Sequence, residues 1–481
     1  MANHSSRQDK EDMQELLHAY HNLKMGRNHA FMEEEDFERI IDYFDEKDDL
    51  HAAQEAAAHG IAQFPYSSLL LIKKADLQIA ARQYAEALDT LEKAEVFDAT
   101  DINLFILKTD ALLALDRQPE AAEILETALN LFEGEERIEL LFELADVYDD
   151  YEEFEKVFDC FKMVLEEDGN NEEALLKICF WADFTGRSEE SIKLHQKIID
   201  DYPFNELAWF NLGTAFQGLK LYEKSIDAYL YALAIDEKFD IAYRNMGDAY
   251  IRIRKYKEAI EALEKVLELS RPEDVIHEAI GHCFHKLENF AMARFHYKKA
   301  SHLNPEDSKL IYKIALTYFK EGQLDSAVRQ LDNAMKIHGM QPEYNLLMGE
   351  CKLEQNKIKD AVLYFSNVVR ARPKIANGWE ALTRCLVKAG FLEEAAEQSL
   401  NALTATGGKT LFIYYYSAIL FAMGRQKDGL VHLETALQQN TKLLKKFIGL
   451  NPQALRNNQV MDLIVRYKKP KKRKSSDDSE K

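Results

Sequence analysis

Trp209-Phe210-Asn211-Leu212-Gly213-Thr214-Ala215-Phe216 decides the reading of this chain, because its landmarks return at a fixed interval. Counting 34 residues on from Trp209, Leu212, Gly213 and Phe216 gives Tyr243, Met246, Gly247 and Tyr250, and 34 more brings Ile280, Gly281 and Phe284. Between these stretches a second beat keeps the same step: Ser225, Tyr229 and Ala232, then Ala259, Leu263 and Val266, then Ala293, Tyr297 and Ala300, closing on Pro305. Apolar residues three and four apart form one face of a helix, so each interval holds two helices. A fixed period in the thirties is the mark of stacked repeats.

The frame extends in both directions. Upstream come Ala53 with Pro65, Ala87 with Leu91 and Ala94, Ala121 with Leu125 and Ala128, and Phe161 with Val164. Downstream are Ala327 with Leu331 and Ala334, Ala361 with Phe365 and Pro373, Ala395 with Ala402, and Leu433 with Ala436. About twelve repeats are predicted over residues 34–443, with a two-residue insertion near Gly134. Proline checks the frame, since it clashes inside a helix. Pro65, Pro203, Pro272, Pro305, Pro342 and Pro373 fall at junctions between repeats, and Pro119 opens a helix. Gly186, Gly322, Gly390 and Gly424 occupy the turn within a repeat, where a left-handed residue ends a helix. Close helix approach is expected at Gly213, Gly247, Gly281 and Gly349, against the alanines that follow. The repeat at 172–205 carries Cys179 and Trp181 at small-residue places, so irregular packing is expected there.

This pattern, Trp209-x2-Leu212-Gly213-x2-Phe216 followed by a small residue, an aromatic and a junction proline, resembles the tetratricopeptide repeat family. The resemblance implies an all-α fold, an α-solenoid wound as a right-handed superhelix of about twelve antiparallel helix pairs. It also implies a concave face lined by the first helix of each repeat. The stretches YSSLLLIKKADLQIA and LNPQALRNNQVMDLI are similar to bacterial multi-repeat members of unassigned role.

Composition agrees with an all-helical chain. Only 9 prolines and 19 glycines interrupt 481 residues, of which 47% are hydrophobic. The formal charge of −22 repels nucleic acid and anionic membrane from the molecule as a whole. Five dispersed cysteines without a Cys-x-x-Cys pair fit a reducing compartment, and the polar N-terminus has no apolar signal core. A cytoplasmic protein is expected. Residues 1–33 read as a polar segment with one amphipathic helix, 444–466 as capping helices for the last repeat, and 467–481 as a disordered basic and acidic tail. Pro470 to Lys474 resembles a nuclear import signal, but such runs are common as plain solubilising tails, and a plain tail is the expectation.

The first helices between 240 and 341 present Arg244, Asn245, Asp248, Arg252, Lys309, Tyr312, Lys313 and Lys320 to the expected groove, a cationic stripe in an acidic chain. Such a stripe can hold an acidic or phosphorylated peptide, or reads as solvated charge balancing neighbouring acids. Asn211 and Asn245 share a repeat position, as do the side-chain amides that grip a peptide backbone in some family members. The family's chaperone-tail clamp of lysine, asparagine and arginine in set order is not found. Tyr414, Tyr415 and Tyr416 with Phe412 and Phe421 read as core plus one or two groove-lining rings. His277 and His282 in HEAIGH stand five apart, not the four of the zinc-protease motif, and Gly407-Gly408-Lys409-Thr410 lacks the first glycine of a phosphate loop. Neither a metal nor any other cofactor is expected. The chain reads as a non-catalytic scaffold or adaptor for a protein or peptide. The alternative is a permanent regulatory or assembly subunit, and co-chaperone or nucleic-acid-associated roles stand behind both.

Overall fold

The computed structural model describes residues 2–25 and 32–468 of the chain. Among them every regular element is a helix, and the fold is an all-α solenoid of consecutive helix pairs. First helices begin at Glu34, Ser68, Ile102, Gly134, Glu172, Glu206, Asp240, Asp274, Ser308, Pro342, Ala376 and Thr410. Between the second helices Gln118–Ala128 and Phe154–Glu167 the step is longer, as the insertion near Gly134 requires. The tail from residue 469 and its proposed targeting signal lie outside the described residues.

Each pair turns through one left-handed residue: Asp48, Arg82, Asp116, Glu152, Gly186, Lys220, Arg254, Glu288, Gly322, Asn356, Gly390 and Gly424, with φ from 56° to 83°. The next amide then reaches back over the helix end, as where Gln83 N–H donates to the Gln78 carbonyl at 2.8 Å. Only four of these places are glycine, so the geometry is set by the helix ending and not by the residue type.

Packing divides the chain into two compact units, Met1–Ala249 and Tyr250–Lys481. In the first, Leu16, Leu17 and Tyr20 of the Ala2–Lys24 helix pack on Phe37, Ile40 and Ile41. The repeats then join through Ala87, Leu91 and Ala94 and through Ala121, Leu125 and Ala128, all fully buried. Burying a leucine here contributes about 1.5–3 kcal/mol, and the alanines admit the close approach that makes it possible. The small-residue expectation needs one correction. Gly213 meets the ring of Tyr229, not an alanine side chain: a Cβ at 213 would lie 2.5 Å from Cε1. The repeat at Glu172 departs from this scheme as expected. Cys179 stands in the glycine place and His195 in the ring place, and the helices Glu172–Phe184 and Ser188–Asp201 touch only lightly.

In the second unit the same contact recurs, Gly281 on Tyr297 and Gly349 on Phe365. Cys283, Cys351 and Cys385 are buried, and burial pushes the Cys283 and Cys351 thiols up to about 12. Phe412, Tyr414, Tyr415 and Phe421 are buried, leaving Tyr416 partly exposed against His432. Leu444, Phe447, Val460, Leu463 and Ile464 cover Ile413, Tyr414 and Leu433 at the end of the last repeat. No helix of the described residues is long and apolar enough to cross a membrane.

Candidate functional site

The predicted stripe falls in both units. In the first, Asn211 is 1% exposed, and its Nδ2 donates to the Leu175 carbonyl of the preceding repeat at 2.7 Å. Asn245 is hydrogen-bonded to the Tyr229 hydroxyl. Both amides, expected to grip a peptide backbone, are therefore engaged within the stack. Arg244 is half-buried in the same unit. In the second unit Arg252 is exposed, and Lys320 ends its helix close enough to His285 to help hold that imidazole below its usual range, after burial and His282.

Lys309, Tyr312 and Lys313 do come together. They line a cleft of about 650 Å³ with Glu306, Asp307, Ser308, His338, Gln341, Glu343, Tyr344 and Arg372. Its floor is aromatic: the rings of Tyr312 and Tyr344 stack with centroids 5.4 Å apart, and the Tyr344 hydroxyl shares a 2.9 Å hydrogen bond with Ser308 Oγ. Burial, then the nearby Glu343, raises the Tyr312 phenol.

The walls are charged. Lys313 pairs with Glu278 and sits 5.9 Å from the centre of the Tyr297 ring. Arg372 Nη1 donates to Glu343 Oε1 at 2.6 Å, with both side chains nearly half exposed. Lys309 is exposed and enters no ion pair among the described residues. Exposed pairs of this kind hold only about 0–1 kcal/mol, so a ligand carboxylate can replace Glu278 or Glu343 at small cost. Two helices, Ser308–Lys320 and Pro342–Glu354, open at the cleft with their amide ends. Asp307 caps the first, accepting from Lys309 N–H at 2.8 Å, whereas Gln341 makes no side-chain cap on the second. The partial positive charge of an uncapped helix start favours an anion.

Sequence reasoning missed His338, Gln341, Glu343, Tyr344 and Arg372. Glu343 was within reach, because it occupies in its repeat the place Lys309 occupies in the one before. The junction residues Gln341 and Arg372 follow no first-helix periodicity and carry no such signal.

The family model described as the tetratricopeptide repeat protein 21 C-terminal ARM domain matches residues 217–351. Among solved structures the chain is similar to YrrB, titled a TPR protein with an unusual peptide-binding site, at 20% identity and TM-score 0.35, covering 38% of this chain and 95% of that one. It is similar to the Cut9-Hcn1 hetero-tetramer of the APC/C at 11% identity and TM-score 0.36, covering 81% and 97%. A third is the C-terminal part of a TPR repeat-containing protein of Cytophaga hutchinsonii, at 14% identity and TM-score 0.42, covering 53% and 99%. No curated protein matches the sequence.

Proposed function

We infer, from a chain that is a tetratricopeptide-type helical repeat protein, that its work is to bind another protein and that the Lys309 cleft receives a peptide segment of that partner. One observation carries the reading: Lys309, Lys313 and Arg372 converge over the stacked rings of Tyr312 and Tyr344 in one open cleft. Stacked rings give an extended peptide apolar area, and the cations select a carboxylate or phosphate beside it. A wet, open cleft suits many modest contacts more than it suits a reaction, which needs groups held in a dry enclosure. The role that this favours is that of a non-catalytic adaptor, and the dispersed thiols support a cytoplasmic one.

Affinity capture with the intact chain and with the K309E/R372E variant tests this. Loss of one specific partner from the variant is the expected result, and an unchanged set of partners excludes the cleft. Chromatography of native extract decides between adaptor and permanent subunit: constant co-migration at high mass favours the subunit.

A further inference from the structure

The first unit carries an apolar surface that the cleft does not use. Phe154 stacks on Trp181 with centroids 5.7 Å apart and meets Phe184 at 5.0 Å, while Phe180 lies 5.0 Å from Trp181 and 5.9 Å from Phe184. Leu176, Phe180 and Phe184, one turn apart on the Glu172–Phe184 helix, are 57%, 59% and 58% exposed. Phe180 and Phe184, exposed and resting on the partly buried Phe154 and Trp181, form a contiguous patch, which marks an interaction site more often than an isolated apolar residue does. The patch sits on the irregular repeat, where Cys179 and His195 replace the glycine and ring found elsewhere.

A run of acids leads up to it. Asp42, Asp76, Asp110 and Asp146 occupy the same place in the first helices of four consecutive repeats, and the next residue in that register is Phe180. These acids act on one another. Loss of surrounding water, then Asp45, raises the Asp76 carboxyl; loss of water, then Asp76, raises Asp110. Glu143, close to Asp110 and Asp146, is raised by the same loss and then by those two acids. The nearby cations are already engaged, Lys73 with Asp42 at 2.6 Å and Lys177 with Glu173 at 2.7 Å. Lys177 also lies close enough to oppose the shift at Asp146, which joins the end of the ladder to the helix that bears the rings.

We propose that the Leu176–Phe184 patch and the aspartate ladder form one docking surface for a cationic amphipathic segment of a partner protein, its apolar residues on the rings and its lysines or arginines along the acids. Charge complementarity selects this occupant. A second copy would bring a net charge of −22 against the ladder, and an anionic lipid surface would be repelled in the same way. The surface selects charge opposite to that favoured by the Lys309 cleft, so it takes a different partner or a different segment of the same one.

The probe is a fluorescein-labelled helical peptide of repeated Leu-Lys-Lys-Leu units, titrated onto the intact chain, with the Leu-Glu-Glu-Leu counterpart as control. Binding is expected to weaken at least about tenfold in F180S/F184S, whose rings are exposed, so that an unchanged circular dichroism spectrum certifies the fold. D110N/D146N should weaken binding and flatten its dependence on salt, whereas E393Q/E397Q, which removes the same charge elsewhere, should leave it unchanged. Equal weakening by both acid pairs reduces the effect to net charge and overturns the proposal. So does full binding by F180S/F184S, or a dimer of the intact chain that this variant dissolves.

Discussion

Tyr229 packs against Gly213, so close that a Cβ on residue 213 would stand 2.5 Å from Cε1 and 2.6 Å from Cδ1 of the ring. The ring is fully buried, with its hydroxyl 3.0 Å from Gln217 Oε1. Gly213→Ala must therefore displace the ring from both its packing and its hydrogen bond, and overpacking of this kind costs about 1–3 kcal/mol. Gly349→Ala, against Phe365, should behave alike. Gly449 has nothing within 4 Å of its would-be Cβ, so Gly449→Ala should be neutral or stabilise by up to about 1 kcal/mol. Urea unfolding of the three variants checks the contrast.

The repeat frame is legible in sequence because stacking repeats one chemical demand at one interval, and Gly213, Gly281 and Gly349 with their later aromatics state it openly. What the glycine meets was less legible. Periodicity fixes which residues face inward, but not whether the ring or the alanine of the second helix reaches the gap. The sites were harder still. Asn211 looks like a groove residue by register, yet its amide turns into the stack to satisfy the Leu175 carbonyl. Asp110 is unremarkable among so many acids, and only its column, Asp42 to Asp146, singles it out. Lys309 was found as a cation, while Arg372 arrives from a junction that no helical period describes.

The intra-pair turns place Arg82, Lys220 and Glu288 at φ of 59° to 61°. A side chain in this region costs about 1–2 kcal/mol, while glycine adds about 0.4–1 kcal/mol of unfolded-chain freedom. Lys220→Gly and Glu288→Gly should each stabilise the chain by up to about 1 kcal/mol, and Gly390→Ala, at φ 83°, should destabilise it by about as much. Thermal melts decide the sign.

The ladder makes stability depend on pH in a definite direction. Asp76 and Asp110 are raised in the folded chain, so the folded state holds their protons more tightly than the unfolded state. Their contribution is most favourable below the unfolded carboxylate value and is lost as pH rises through the folded one. Asp110→Asn should therefore stabilise the chain at pH 7 and have no such effect near pH 3, the size of the gain being reduced by the exposure of this side chain to water. Chemical unfolding at the two pH values measures it.

His195 works in the opposite direction. Fully buried, with Nδ1 2.7 Å from the Ser191 carbonyl and Nε2 unpartnered among the described residues, it is pushed by burial from 6.5 down to about 4. Between those values the unfolded chain takes up a proton that the folded chain refuses, so stability falls as pH drops, by up to about 1.4 kcal/mol per pH unit. His195 stands in the place of Tyr229, and Cys179 in the place of Gly213. Removing the imidazole in H195Q should flatten that acid slope, whereas the parent chain should keep it. Unfolding midpoints from pH 7 to pH 4 separate the two.

The Lys309 cleft should prove dispensable for folding. Arg372 and Glu343 form a pair with both side chains nearly half exposed, and Lys309 is exposed outright, so neither carries appreciable stability. K309E/R372E should change the unfolding free energy by less than about 0.5 kcal/mol per site while removing the bound partner. Tyr344 is different: it is 4% exposed, stacks on Tyr312 and hydrogen-bonds Ser308. Tyr344→Phe keeps the stack but leaves Ser308 Oγ short of that partner, which costs about 1 kcal/mol, and Tyr344→Ala removes the stack as well for about 3–5 kcal/mol. A melt series paired with partner capture distinguishes these roles, since a cleft that served only the fold would lose stability and binding together in every variant.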